Sequence, residues 1–130
     1  MRILTGTDII EIKRVQESME TIGENFQNKI FTPNEIAYCE SKRNAKYQHY
    51  AGRFASKEAI YKAVSNLLDD KFEIDWKDVE VLNDTNGKPY IVWKNEKWKN
   101  QIESADISIS HCKEYATANV TLLCKNETIQ

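Results

Sequence analysis

GRFASKEAIYKAV, residues 52–64, reads as helix. Alanines and large apolar residues recur at helical spacing, and only Gly52 opposes the pattern by its weak helix propensity. Within it Phe54, Glu58 and Lys62 stand four residues apart and share one face. As an exposed pair, Glu58 and Lys62 would contribute only about 0.2–0.5 kcal/mol. On a largely apolar helix they can instead be chemical groups held for use.

Working outward, the helix runs from about residue 47 to 68. The span from Lys42 to Lys62 is basic: Lys42, Arg43, Lys46, Arg53, Lys57 and Lys62 are set against one acid, Glu58. Six bases against one acid make this segment +5, and the overall charge of −2 then leaves −7 for the remainder. Such a local field attracts phosphate-rich or acidic partners, although a solvated helix face has the same composition.

Upstream, RILTGTDIIEI begins as a strand with Ile3, Thr5, Thr7 and Ile9 on one side, and a short amphipathic helix carries Val15, Met19 and Ile22. TPNEIAYC opens another helix, with Thr32 as cap, Pro33 in the first turn and Glu35 completing a capping box. Downstream, DVEVLNDTNGKPYIVW is a hairpin in which Asn86-Gly87 suits the positive φ angles of a tight turn. KNEKWKNQI is a short helix, and ADISISH and ATANVTLLC are two more strands joined through CKEY. The order β–α–α–α–β–β–α–β–β predicts one α+β domain over residues 1–130, with a mainly antiparallel sheet packed by a long helix and shorter ones.

The 130 residues suffice for one core, and 41% hydrophobic with 29% charged residues is ordinary globular composition. No apolar run is long enough for a membrane span, and Asp8 and Glu11 interrupt what would have to be a secretory signal, so a cytoplasmic chain is expected. Cys39, Cys112 and Cys124 form no CxxC spacing and read as small hydrophobic fillers. Glycine-rich nucleotide loops and a serine-esterase elbow are absent.

Six positions invite chemistry. Asp8 is an acid in an apolar strand; it is either a strand-end or capping residue or a ligand for Mg²⁺, with Glu58 as the second carboxylate. Lys62 can hold a phosphate oxygen, and Arg53 and Lys57 on a neighbouring side can anchor another. His111, where a strand ends, suits anion binding or proton transfer as well as a plain turn role; His49 reads as structural or exposed.

Taken together and in order, GTDIIEIKRV, FTPNEIAYC, AGRFASKEAIYKAV, NGKPYIV and SISHCKEYATANV resemble the holo-acyl-carrier-protein synthase family of 4′-phosphopantetheinyl transferases, from about residue 4 to 124. The resemblance implies transfer of the phosphopantetheine arm of coenzyme A to a serine of apo acyl carrier protein, with release of adenosine 3′,5′-bisphosphate. It implies that Asp8 and Glu58 bind Mg²⁺ with the coenzyme A pyrophosphate. Lys62 is implied at the phosphates, Arg53, His111 and Pro89 near the nucleotide, and Arg14 on the surface that receives the carrier. Mg²⁺ and Lys62 would neutralise charge as the P–O bond breaks, and Glu58 acting through a metal-bound water is one candidate base. A homotrimer with shared sites and a setting in fatty acid biosynthesis are further implications, with no nucleic acid or membrane partner.

Two departures stand out. The family commonly has a glycine-containing turn after the lysine helix, whereas this chain continues VSNLLDD, and Cys112 stands where a small hydroxyl residue is frequent. A carrier- or coenzyme-binding domain without chemistry, and an RNA-binding module using the basic helix, are the competing classes. The acidic total charge disfavours the latter.

Overall fold

A computed structural model describes residues 1–68 and 74–125. Its elements are β1 (Arg2–Glu11), α1 (Ile12–Thr21), α2 (Glu24–Ile30), α3 (Pro33–Glu40), α4 (Lys46–Val64), β2 (Val79–Asn83), β3 (Pro89–Trp93), α5 (Glu96–Gln101), β4 (Ile102–His111) and β5 (Tyr115–Cys124). The α+β class and the antiparallel pairing agree with the sequence reading. The strands, however, form two sheets: a three-stranded one in the order β1-β5-β4, and the separate hairpin β2-β3.

One helix, α2, is missing from the expected order. Gly23, at φ +75°, separates it from α1, and its seven residues bury only Ile30, too little pattern to register in sequence. The long helix ends at Val64 rather than Leu68, with a 3₁₀ turn over Ser65–Leu67. Of the VSNLLDD stretch, Asp69 and Asp70 lie outside the described residues.

The antiparallel register runs from Arg2↔Cys124 to Glu11↔Tyr115 between β1 and β5, and reaches His111↔Ala116 between β5 and β4. Along β1 the even positions Leu4, Gly6, Asp8 and Ile10 face inward. Ile3 and Ile9 do share a side with Thr5 and Thr7, but it is the outer one, where they are 67% and 66% exposed. The period of two identifies the two faces without saying which is covered; α4 covers the face with the small residue.

Helix α4 lies across the inner face, burying Ala55, Ala59, Ile60, Ala63 and Val64 against Leu4, Ile107, Val120 and Leu122. Its alanines let helix and sheet approach closely. A second cluster joins Val15, Ile30, Phe31 and Tyr50 beneath α1 to α3. Among the described residues, no helix is long and apolar enough to cross a membrane.

The capping box of α3 forms as the sequence predicts: Thr32 N donates to Glu35 Oε1 at 2.8 Å, and Glu35 N donates to Thr32 Oγ1 at 3.3 Å. It also does more. The Thr32 hydroxyl donates to the buried Glu80 carboxylate, and Val81 N donates to Glu35 Oε2 at 2.8 Å, so α3 is tied to β2. Burial disfavours the Glu80 charge, but hydrogen bonds from Thr32, Lys94 and Asn34 outweigh it and hold its carboxyl below the usual range. Thr32→Val is therefore expected to lose a cap and a buried acceptor's donor together. The loss should be about 2 kcal/mol in urea unfolding.

The NG turn differs in detail from expectation. Gly87 has φ +85°, but Asn86 does not enter the left-handed region. Instead Asp84 organises the loop: Gly87 N donates to its carbonyl at 2.9 Å, and its carboxylate accepts from Asn86 N and Lys88 N. An aspartate at the first position of a type I turn followed by a left-handed glycine makes the bulged hairpin, not the two-residue one.

Candidate active site

Helix α4 meets β1 backbone to backbone. A Cβ on Gly6 would stand 1.9 Å from the Ala59 carbonyl oxygen and 3.0 Å from Ala63 N. Glycine here supplies closeness, since its φ is not positive. Gly52, on α4 itself, has no such backbone neighbour. The neighbour there is the Ile109 side chain, at 3.1 Å from an added Cβ.

That contact sets the site. Asp8 is two residues beyond Gly6 on the same inward face, and its own carbonyl accepts from Thr117 Oγ1 at 2.8 Å. Lys62 Nζ donates to Asp8 Oδ1 at 3.1 Å and to Thr7 O at 3.1 Å. One turn earlier on α4 stands Glu58. Burial, and then the Asp8 charge, raise its pKa, while Lys62 acts against them. The Asp8 side chain is 15% exposed and that of Lys62 54%, so the acid is the more enclosed partner of the pair.

Two carboxylates near enough to repel, one of them paired with a half-exposed ammonium, fit a hard divalent cation. Among the described residues no cluster of three or more His, Cys, Asp and Glu exists that could hold a metal. Asp8 and Glu58 are the two residues here that could give oxygen donors to such a cation.

Glu58 divides two cavities. One, of about 620 Å³, has Asp8, Arg14, Phe54 and Glu58 in its walls. The other, of about 700 Å³, is lined by Lys57, Glu58, Tyr61 and Trp76. Phe54 stacks on Trp76 with centroids 5.2 Å apart.

The other sequence candidates gather elsewhere. Arg53 is buried, with its guanidinium 4.2 Å over the Tyr38 ring and an Nη2 donating to Asn83 Oδ1; its Nε has no protein partner. Asn83 pairs across the hairpin with Pro89. His49, one turn before Arg53, packs against Tyr38 and against His111, at 5.5 and 5.9 Å between centroids. Through His49 on one side and Asn83 on the other, Arg53 is thus linked to His111 and to Pro89, and these make one group toward the N-terminal half of α4. Asp8, Glu58, Lys62 and Arg14 form the other, over β1. Nine residues of helix, about 13 Å of rise, separate Arg53 from Lys62.

Two readings are corrected, whereas His49 has the structural role expected of it, packed between the Tyr38 and His111 rings. Lys57 is not a phosphate anchor: Glu35 lies 2.8 Å from its Nζ, which donates to three backbone carbonyls, and its side chain is 1% exposed. Cys39 and Cys124 are buried fillers, but Cys112 is exposed.

Burial, with the charges of Arg53, Lys42 and His111, pushes the His49 pKa from 6.5 down to about 4. A folded-state value below the unfolded one means that the unfolded chain takes up the proton first. Stability is thus lost as pH falls from 6.5 to 4, and no further below that. Thermal melts of His49→Asn should show a shallower decline across that window than wild type.

A model of the 4′-phosphopantetheinyl transferase superfamily matches residues 5–120. A holo-[acyl-carrier-protein] synthase of Ruminiclostridium cellulolyticum is 43% identical over 122 residues, covering 91% of this chain and 90% of the relative. Among solved structures, an ACPS–CoA complex from Chronobacterium ammoniagenes superposes with TM-score 0.81 at 28% identity, covering 97% of this chain and all of that one. The holo-[acyl-carrier-protein] synthase of Helicobacter pylori in complex with coenzyme A has TM-score 0.79 at 30% identity, covering 92% of this chain and 100% of that one.

Proposed function

The chain is an enzyme of the 4′-phosphopantetheinyl transferase superfamily, and we propose that it transfers the phosphopantetheine arm of coenzyme A to a serine of apo acyl carrier protein. The convergence of Asp8, Glu58 and Lys62 at the crossing of β1 and α4 carries this reading. In the transfer, the serine Oγ forms a bond to the phosphorus that bears the pantetheine. The bond from that phosphorus to the bridging oxygen breaks, adenosine 3′,5′-bisphosphate leaves, and the serine proton is lost.

Asp8 and Glu58 hold Mg²⁺ in this reading. The ion, when bound, neutralises the pyrophosphate and so lowers the repulsion that an incoming oxygen meets. Lys62, half exposed, exchanges Asp8 for a phosphate oxygen and stabilises negative charge on the departing bisphosphate. Arg14 lines the same cavity and offers its cation to an acidic carrier. Arg53, Pro89 and His111 serve the nucleotide, with Arg53 ordering the Asn83–Pro89 corner.

A homotrimer with sites shared between subunits is part of the proposal. The separation of the two residue groups along α4, and the exposed Ile3 and Ile9 on the outer face of β1, support association. Sedimentation equilibrium should give three times the chain mass of 15.1 kDa; a monomer would remove this element. The free thiols of Cys39, Cys112 and Cys124 agree with a cytoplasmic setting.

The reading is tested by chromatography of the nucleotide product with an apo carrier protein, coenzyme A and Mg²⁺. One adenosine 3′,5′-bisphosphate should appear for each carrier modified, and chelation of the metal should stop both. Binding of carrier and coenzyme A with no bisphosphate released would replace the transferase by a binding domain.

A further inference from the structure

Lys57 is next to Glu58 in sequence but points about 100° away around the helix. Its ammonium sits among four acceptors from four segments. These are Ile30 O at the end of α2 (2.8 Å), Trp76 O in the 3₁₀ turn before β2 (2.9 Å), Val79 O at the start of β2 (3.1 Å) and Glu35 Oε1 in α3 (2.8 Å). Three N–H groups are fully engaged by four acceptors. Glu35 is held in turn by Thr32 N and Val81 N.

A buried ion pair is weak evidence of stabilisation, because apolar residues of the same volume often do as well. What an ammonium adds is direction, and here the directions matter. The β2-β3 hairpin shares no ladder with the three-stranded sheet, so side-chain contacts determine how it seats against α4. Lys57 makes one to the hairpin itself, at Val79, and one to Trp76 in the turn that leads into it. Trp76 stacks on Phe54, which lines the Asp8–Glu58 cavity, and the hairpin carries the Asn83–Pro89 corner that holds Arg53. One side chain thus joins the two residue groups of the site.

We infer that Lys57, oriented by Glu35, is a positioning residue for the transfer: it seats the hairpin and the Phe54–Trp76 wall against α4 and so sets where Glu58 stands. This rests on the transferase reading, and the test separates the two. Lys57→Met, Glu35→Gln and the double variant are compared in thermal stability, in kcat and KM for coenzyme A, and in Mn²⁺ affinity of the free protein followed by EPR. Lys57→Met alone leaves a buried uncompensated carboxylate and should melt early, whereas the double variant should regain most of that loss. Its kcat should nonetheless stay at least about tenfold down, with Mn²⁺ bound about tenfold more weakly and KM little changed. A double variant with wild-type kcat and Mn²⁺ affinity would overturn the inference and leave only a stability role. If the wild type transfers nothing, the Mn²⁺ titration decides: weaker binding to the folded double variant upholds positioning, and unchanged binding removes it. Should the double variant not fold, Lys57→Arg keeps the charge beside Glu35 but cannot converge on four acceptors. Retained fold with lost turnover and weaker Mn²⁺ binding upholds the inference; wild-type behaviour contradicts it.

Discussion

Glu58→Gln should lower kcat/KM for carrier modification by about 10²–10³-fold, because metal-ion charge stabilisation is worth several kcal/mol and each ~1.4 kcal/mol is a factor of ten. Glutamine keeps the length of the side chain and the propensity of the helix, so loss of the charge is the main change. The variant should fold at least as well as wild type. Burial and the neighbouring Asp8 both raise the Glu58 pKa. A carboxyl whose folded pKa is raised weakens the fold as pH rises from the unfolded value through the folded one. Near neutral pH, removing that charge relieves the penalty, and the melting temperature should stay level or rise. Activity falling while stability holds is the pattern of a group kept for function at a cost to the fold. Stopped assays with carrier and saturating Mg²⁺, beside thermal melts, would check both halves. Activity within a few-fold of wild type would remove Glu58 from the chemistry.

Gly6→Ala should be among the most damaging substitutions outside the charged residues. The added Cβ would meet a backbone oxygen at 1.9 Å, and a backbone atom cannot rotate aside. Either β1 lifts from α4 or the fold opens, at a cost of about 3 kcal/mol or more. Because Asp8 follows two residues later on the same strand face, lifting β1 also moves its carboxylate away from Glu58 and Lys62. Modification should fall even at temperatures where the variant is folded. Gly52→Ala is the control. Its Cβ meets only the tip of Ile109 at 3.1 Å, and the helix gains up to about 1 kcal/mol in propensity, so its urea midpoint should lie near that of wild type. Equal midpoints for the two variants would contradict the backbone-contact account of the β1–α4 crossing.

These two residues also mark what the sequence made legible. Glu58 and Lys62 declare themselves by a spacing of four on an apolar helix, and Asp8 by its polarity within a strand. Their proximity was not readable, since it depends on β1 and α4 crossing at Gly6, and a glycine in a strand has several uses. Local patterns carried the capping box at Thr32 and the two terminal strands, because each is determined by neighbours a few residues apart. Lys57 shows the limit. In sequence it is one more base in a +5 segment, and only the packing of α2, α3 and β2 around it turns it into a fully enclosed cation. Likewise α2 shows too short a pattern to be seen, and the side of β1 that faces inward is fixed by the partner helix, not by alternation.

The central claim is most directly tested by the intact mass of an apo acyl carrier protein after incubation with this protein, coenzyme A and Mg²⁺. The account predicts a gain of one phosphopantetheine group on the carrier serine, lost when that serine is replaced by alanine and strongly slowed with Glu58→Gln. An unchanged carrier mass with a folded wild-type protein and several carrier proteins would contradict it.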